Sequence, residues 1–166
     1  MKKILILAGG FSKERKISLK TGIQVYKVLK KKYKVMLVDP NINLTDKIKF
    51  FKPNIIFNAL HGRYGEDGYI QSLLDMEKCT YTHSNAISSL LSIDKEISKY
   101  IFNKNGILTP PGFKFIFDNN YKLTLLIKKV QKKLKFPVVI KPINEGSSVD
   151  VYICNKKNFL TKVKRL

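Results

Sequence analysis

A chain of 166 residues has room for one ordinary domain, or for a small domain with part of a second, and 44% hydrophobic content excludes a disordered chain. A formal net charge of +20 favours anionic partners. The plainer reading is lysines spread along solvated helix faces, and the cations are not interleaved with aromatics as single-strand binders require, which disfavours nucleic acid. The two cysteines, Cys79 and Cys154, have no metal spacing and no disulfide framework, which suits a reducing cytoplasm.

In chain order, "KILILAGG" is a short apolar run ending in Gly9-Gly10, the pattern of a strand buried on both faces of a parallel sheet. It is too short for the apolar core of a signal peptide, and no run is long enough to span a membrane. A helix is expected next, capped by Ser12, with Ile17, Ile23, Val25, Val28 and Leu29 as its apolar stripe. "YKVMLVD" is the second strand, "NLTDKIKFFKP" a short helix stopped at Pro53, and "NIIFNAL" the third strand. "EDGYIQSLLDMEK" reads as a helix opened by Glu66 and Asp67, where acidic groups suit the helix dipole. "CTYT" is a short strand and "SNAISSLLSI" a helix. This alternation predicts a parallel α/β unit.

The pattern then changes. "DKEISKYIFNKNG" is a helix ended by Gly106, and "ILTPPGFKFIF" a loop leading into a strand. "NYKLTLLIKKVQKKLK" is an amphipathic helix. "FPVVIKP" and "SSVDVYIC" are strands joined by a Glu-Gly-Ser-Ser loop, and a last helix begins at "KKNFLTKVKRL". The expected division is 1–92 for the first domain and 93–166 for the second.

Three constellations carry chemistry. In "GGFSKER" the turn after strand one lies at the carboxyl edge of the sheet, where open α/β sheets bind ligands. Glu14 there is suited to a substrate ammonium, with nearby backbone amides for a carboxylate; the bland alternative is a helix-dipole role. In "NALHGRYGEDGYIQS", His61 ends strand three on the same edge, beside glycines that permit a tight turn. In "FPVVIKPINEGSS", Lys141 ends a strand as a point charge for phosphate oxygens. The loop adds amides and the hydroxyls of Ser147 and Ser148, without the spacing of a P-loop. Lys95 is a second candidate cation.

Four stretches, "AGGFSKERKISLKTG", "ALHGRYGEDGYIQSLL", "YTHSNAISSLLSIDK" and "FPVVIKPINEGSSV", together resemble the N-terminal part of the D-alanine–D-alanine ligases, enzymes of the ATP-grasp superfamily. The resemblance implies a parallel β-α-β N-terminal domain preceding the ATP-grasp region, followed by an incomplete ATP-grasp subdomain. It implies ATP-dependent joining of two D-alanines through an acyl phosphate, for peptidoglycan precursor synthesis in the cytoplasm. Glu14 would contact the ammonium of the first D-alanine, with His61 nearby, and Ser147 would belong to the hydrogen-bonded set that orients Glu14. Lys95, Lys141, Ser147 and Ser148 would face the ATP phosphates, while Glu66 and Asp67 would be structural. The family's Mg²⁺ ligands and an arginine for the tetrahedral intermediate belong to a further region, so a chain of this length is expected to be a truncated, non-catalytic part of a ligase; the parent is compatible with a homodimer. Relatives making D-alanyl-D-lactate or D-alanyl-D-serine, a non-catalytic nucleotide-binding module and a basic nucleic-acid binder are the alternatives.

Three positions depart from the family's pattern. His83 and Asn85 replace frequent glycines, expected as a structural variation. Asp150 stands where glycine is usual. At 4 Å from a phosphate charge it would cost about 4 kcal/mol at an effective dielectric near 20. Strand alternation is expected to turn it outward, with Val149, Val151 and Ile153 facing in.

Overall fold

The structure, a computed structural model, describes residues 1–116 and 123–166. The chain divides into two compact units, Met1–Ile93 and Asp94–Leu166.

The first unit is built on three parallel strands: β1 (Lys3–Leu7), β2 (Lys34–Val38) and β3 (Ile55–Asn58), in the order β2-β1-β3. Alternation along β1 gives the sheet two apolar faces. Leu5 and Leu7 join Val38, Ile56 and Leu60 on one face. They pack on Leu44, Ile48 and Phe51 of α2 (Leu44–Phe51) and on Ile70 and Leu74 of α3 (Tyr69–Met76). On the other face Ile4, Ile6, Ala8 and Ala59 meet Val25, Tyr26 and Leu29 of α1 (Arg15–Leu29). A last helix, α4 (Ala86–Ile93), contacts α3.

Several local expectations are corrected. Helix α1 begins at Arg15, and Ser12 does not cap it: its hydroxyl accepts from the Glu14 N–H at 3.1 Å and donates to the His61 carbonyl at 2.7 Å. Of the expected stripe, Val25 and Leu29 pack inward while Ile17, Ile23 and Val28 are exposed. The helix lies too close to the sheet for large side chains at its contact line, which is made by buried Ser18 and Gly22. A Cβ on Gly22 would lie 2.3 Å from the Cβ of Ala8. Gly22→Ala is therefore expected to cost about 1–3 kcal/mol through overpacking, despite alanine's better helix propensity; thermal unfolding of the variant checks this. "CTYT" forms no strand, only a single parallel bridge between Tyr81 and Ile56. Helix α2 ends before Pro53 as expected, with Lys52 left-handed at φ 48°.

In the second unit, α5 (Lys95–Lys104) is capped by Asp94, whose carboxylate accepts from the Glu96 and Ile97 N–H groups at 2.8 and 3.0 Å. Gly106 follows it at φ 74°. No strand forms over 107–116, although Phe113 and Phe115 pack against the core; Phe117, at the end of the strand expected there, lies outside the described residues. So do residues 120–122 at the start of the expected amphipathic helix, which is described as α6 (Leu123–Lys133). Strands β4 (Val138–Ile140) and β5 (Tyr152–Cys154) form an antiparallel pair, and α7 (Phe159–Val163) packs on them. Leu126, Val130, Val138, Cys154, Phe159 and Val163 form this unit's core.

Strand β5 is shorter than "SSVDVYIC", and its faces are reversed. Tyr152 and Cys154 turn toward the core, while Ile153 is 74% exposed opposite Val139 at 55%. The reason lies in the preceding turn, where Ser147, Ser148 and Asp150 all have positive φ (44°, 61° and 53°). A strand's alternation cannot be counted through such residues.

Candidate functional site

Two groups of side chains gather at loop positions, one in each unit. In the first, the carboxyl ends of β1 and β3 deliver Gly9-Gly10 and Ala59-Leu60-His61 to one edge of the sheet. Glu14 occupies the position before α1 without capping it. Its side chain is buried, 6% exposed, and is directed at Gly62, where an added Cβ would lie 2.5 Å from Oε2. Ser12 joins the two segments, holding the amide of Glu14 and the carbonyl of His61 with one hydroxyl. Glu14 and His61, picked out from separate stretches of sequence, are thus neighbours across Gly62.

The His61 ring is framed on both sides. Nε2 lies 3.2 Å from the Thr21 hydroxyl and Nδ1 lies 3.6 Å from Glu66 Oε1. Glu66 does not open α3: its Oε2 accepts from the Gly62 N–H at 3.0 Å. Asp67 closes the same loop, accepting from the N–H groups of Tyr64 at 2.9 Å and Tyr69 at 3.2 Å. Glu66 thus serves the His61–Gly68 turn rather than the helix, while Asp67 ties that turn to the first residue of α3. Beneath them, Asn58 and Gln71 both donate to the Gly65 carbonyl, at 2.9 and 2.8 Å. A cavity of about 330 Å³ opens beside this edge, with Gly9, Gly10, Phe11 and Pro40 on one side and Leu60, His61 and Tyr64 on the other.

Sequence reasoning passed over Asp39. It stands at the end of β2 on the same edge, accepts from the Gly10 N–H at 2.8 Å and pairs with Arg15 at 2.5 Å. Burial pushes its carboxyl up, but bonds from Arg15 and the Gly10 amide outweigh this and hold it below the usual carboxylate range. The available signal was "VDP", an acidic residue at a parallel strand's carboxyl end. His83 is tied to the backbone: its Nε2 donates to the Asn58 carbonyl at 2.7 Å from a left-handed residue, φ 80°, a conformation that glycine adopts readily.

In the second unit the loop after β4 carries Lys141, Ser147 and Ser148, all exposed. The Lys95 ammonium, at the start of α5, donates to the carbonyls of Ile143 (2.9 Å) and Glu145, tying the loop to the helix. Burial lowers its pKa, and the nearby positive charge of Lys141 lowers it further. Lys95 and Lys141 thus bring two positive charges to this loop, which favours an anion over a cation there. Asp150 is half-buried, its Oδ1 3.4 Å from the Tyr152 hydroxyl, in a left-handed conformation that aspartate tolerates better than most residues. Among the described residues, no three His, Cys, Asp or Glu side chains converge as a metal donor set, and no helix is long and apolar enough to cross a membrane.

Comparison with known proteins gives one answer across the chain. Residues 101–165 match the family described as "D-ala D-ala ligase C-terminus". A D-alanine–D-alanine ligase of Pelagibacter ubique is 60% identical over 166 residues, an alignment covering 99% of this chain and 54% of that protein. One from the Wolbachia of Brugia malayi is 43% identical over 164 residues, covering 98% of this chain and 46% of the relative. Among solved structures, a D-alanine–D-alanine ligase from Bacillus anthracis superposes with a TM-score of 0.83 at 33% identity, covering 99% of this chain and 53% of that one. The same enzyme complexed with ATP gives a TM-score of 0.76 at 31% identity, covering 99% and 54%. The chain spans about half the length of the curated relatives it matches.

Proposed function

Because this chain belongs, along the half of a ligase that it spans, to the D-alanine–D-alanine ligase family, we propose that the protein it represents joins two D-alanines at the expense of ATP. The observation that carries this reading is the occurrence, in one chain similar to these ligases, of both a buried carboxylate beside a glycine turn and a loop after β4 that carries Lys141 and is tied down by the Lys95 ammonium. The first is suited to an amino-acid ammonium, the second to phosphates.

In this reading Glu14 binds the ammonium of the first D-alanine, with His61 beside it. A Bacillus anthracis relative of known structure is complexed with ATP; here Lys95, Lys141 and the hydroxyls of Ser147 and Ser148 hold the phosphates. The carboxylate of the first D-alanine attacks the γ-phosphorus, forming an acyl phosphate and releasing ADP. The amine of the second attacks the acyl carbon, loses a proton, and phosphate leaves. No enzyme nucleophile is required; the protein supplies positioning and cationic stabilisation of the transferring group. The chain's described residues do not form a donor set for Mg²⁺, so no step here is assigned to a metal. In this reading the protein works in the cytoplasm on cell-wall precursors, and a homodimer is compatible with it.

The 166-residue chain by itself is expected to bind nucleotide without ligating. Incubation with ATP and D-alanine tests both statements. The full-length protein should yield D-alanyl-D-alanine and phosphate in equal amounts, and the chain alone should yield neither above a no-enzyme control. Dipeptide from the chain alone would overturn the second statement, and none from the full-length protein would overturn the first.

A further inference from the structure

Arg15 breaks a local rule. It is the first residue of α1, where the helix dipole disfavours a cation, and α1 has no acidic residue in its first turn to compensate. Its guanidinium is engaged elsewhere: Nη1 donates to the Gly10 carbonyl at 2.9 Å and Nη2 meets Asp39 Oδ2 at 2.5 Å. Asp39 Oδ1 in turn accepts from the Gly10 N–H at 2.8 Å. Both backbone polar groups of one residue are thus held by the two members of one ion pair.

Glycine is required where they meet. Gly9 and Gly10 have φ of 105° and 76°, and a Cβ on Gly9 would lie 2.4 Å from Asp39 Oδ1, so the carboxylate occupies the space of the missing side chain. With side chains 47% and 39% exposed, the pair adds little stability as an ion pair. Its effect is geometric. Only Phe11, Ser12 and Lys13 separate Gly10 from Glu14, and Ser12 is itself bonded to the His61 carbonyl. The segment is pinned at Gly10 from the β2 side and at Ser12 from the β3 side.

We infer that Arg15 and Asp39 form a latch that fixes the Gly9-Gly10 turn and thereby positions the Glu14 carboxylate for the first amino-acid substrate. They are positioning residues that act through Gly10 and do not touch the substrate. The inference rests on the function proposed above. Lysine cannot replace Arg15, because one ammonium lacks the planar fork that reaches a carbonyl and a carboxylate at once.

The test uses Arg15→Lys and Asp39→Asn in the full-length protein, with steady-state kinetics and thermal unfolding. Loss of the latch is expected to raise the KM for the first D-alanine about tenfold, a fraction of the effect of a 1 Å misplacement, and to leave the KM for ATP and the unfolding temperature unchanged. Arg15→Lys keeps the charge, so a dipole or surface-charge role predicts no loss. Should Asp39→Asn not fold, the more exposed Arg15→Lys decides alone. If the unmodified protein ligates and Arg15→Lys keeps its first-site KM, the latch is wrong and the function stands. A joint fall of both substrates' affinities with the unfolding temperature marks a merely structural pair and also overturns it. If the unmodified protein makes no dipeptide, the proposed function fails and the latch with it.

Discussion

Gly62→Ala is expected to weaken D-alanine binding by the full-length protein more than any other single-methyl change in the first unit. Two effects meet at this residue. Its φ of 69° is left-handed, which costs an L-residue roughly 1–2 kcal/mol. The new methyl would also lie 2.5 Å from Glu14 Oε2. The carboxylate is the end of a flexible side chain, so it gives way while the backbone holds. It must retreat by about 1 Å to reach ordinary contact, and a misplacement of that size can cost about 100-fold in rate. A rise of 10- to 100-fold in the KM for the first D-alanine follows, at the order-of-magnitude level of that argument. Gly106→Ala supplies the control. Gly106 is equally left-handed at φ 74°, but a Cβ there meets nothing within 4 Å. It should lower the unfolding temperature and leave D-alanine binding untouched. Equal kinetic effects from both alanines would show that backbone strain, not displacement of Glu14, is responsible.

Lys95 and Lys141 should separate when each is removed and ATP is titrated calorimetrically into the 166-residue chain. Lys141 is exposed, and Lys141→Ala removes one charge from the phosphate loop. A hydrogen bond to a charged group is worth about 1.5–3 kcal/mol, so nucleotide affinity should fall roughly 10- to 150-fold with no change in unfolding temperature. Lys95 also donates to the Ile143 and Glu145 carbonyls. Lys95→Met should therefore cost affinity at least as severely and destabilise the second unit as well, since two loop carbonyls lose a charged donor. The pair is coupled in a measurable way. Lys141 contributes to the lowered pKa of Lys95, so Lys141→Ala should move the Lys95 titration back up toward its ordinary value, as followed by NMR of the ammonium. Unchanged nucleotide affinity in both variants would remove this loop from the proposed site.

Much of the first unit was legible because its strands announce themselves. "KILIL" and "IIFN" are apolar runs between turn residues, and their parallel pairing follows from the helices between them. Glu14 and His61 were legible for the same reason, since each lies just past a strand on one sheet edge. Three kinds of information were not available in the pattern. The face of β5 depended on the positive φ of Ser147, Ser148 and Asp150, which residue alternation does not encode. The stripe on α1 was misjudged because the contact with Ala8 is so close that Ser18 and Gly22, not Ile17 or Ile23, face the sheet. The roles of Asp39 and Glu66 depended on hydrogen bonds to the backbone of Gly10 and Gly62. Those contacts join residues by the way loops fold back, and hydrophobic periodicity carries no trace of them.

The central place of β1 has a consequence for how the protein is made. Of this sheet's strands, the one synthesised first is enclosed on both edges, and its partners begin only at Lys34 and Ile55. Leu5 and Leu7 then wait for Leu74 of α3 to complete the wall that covers them. At roughly 5–20 residues per second, a nascent chain carries these leucines uncovered for several seconds. Chains stalled before Leu74 should be captured by hydrophobic-binding chaperones, and chains stalled well beyond it should escape them.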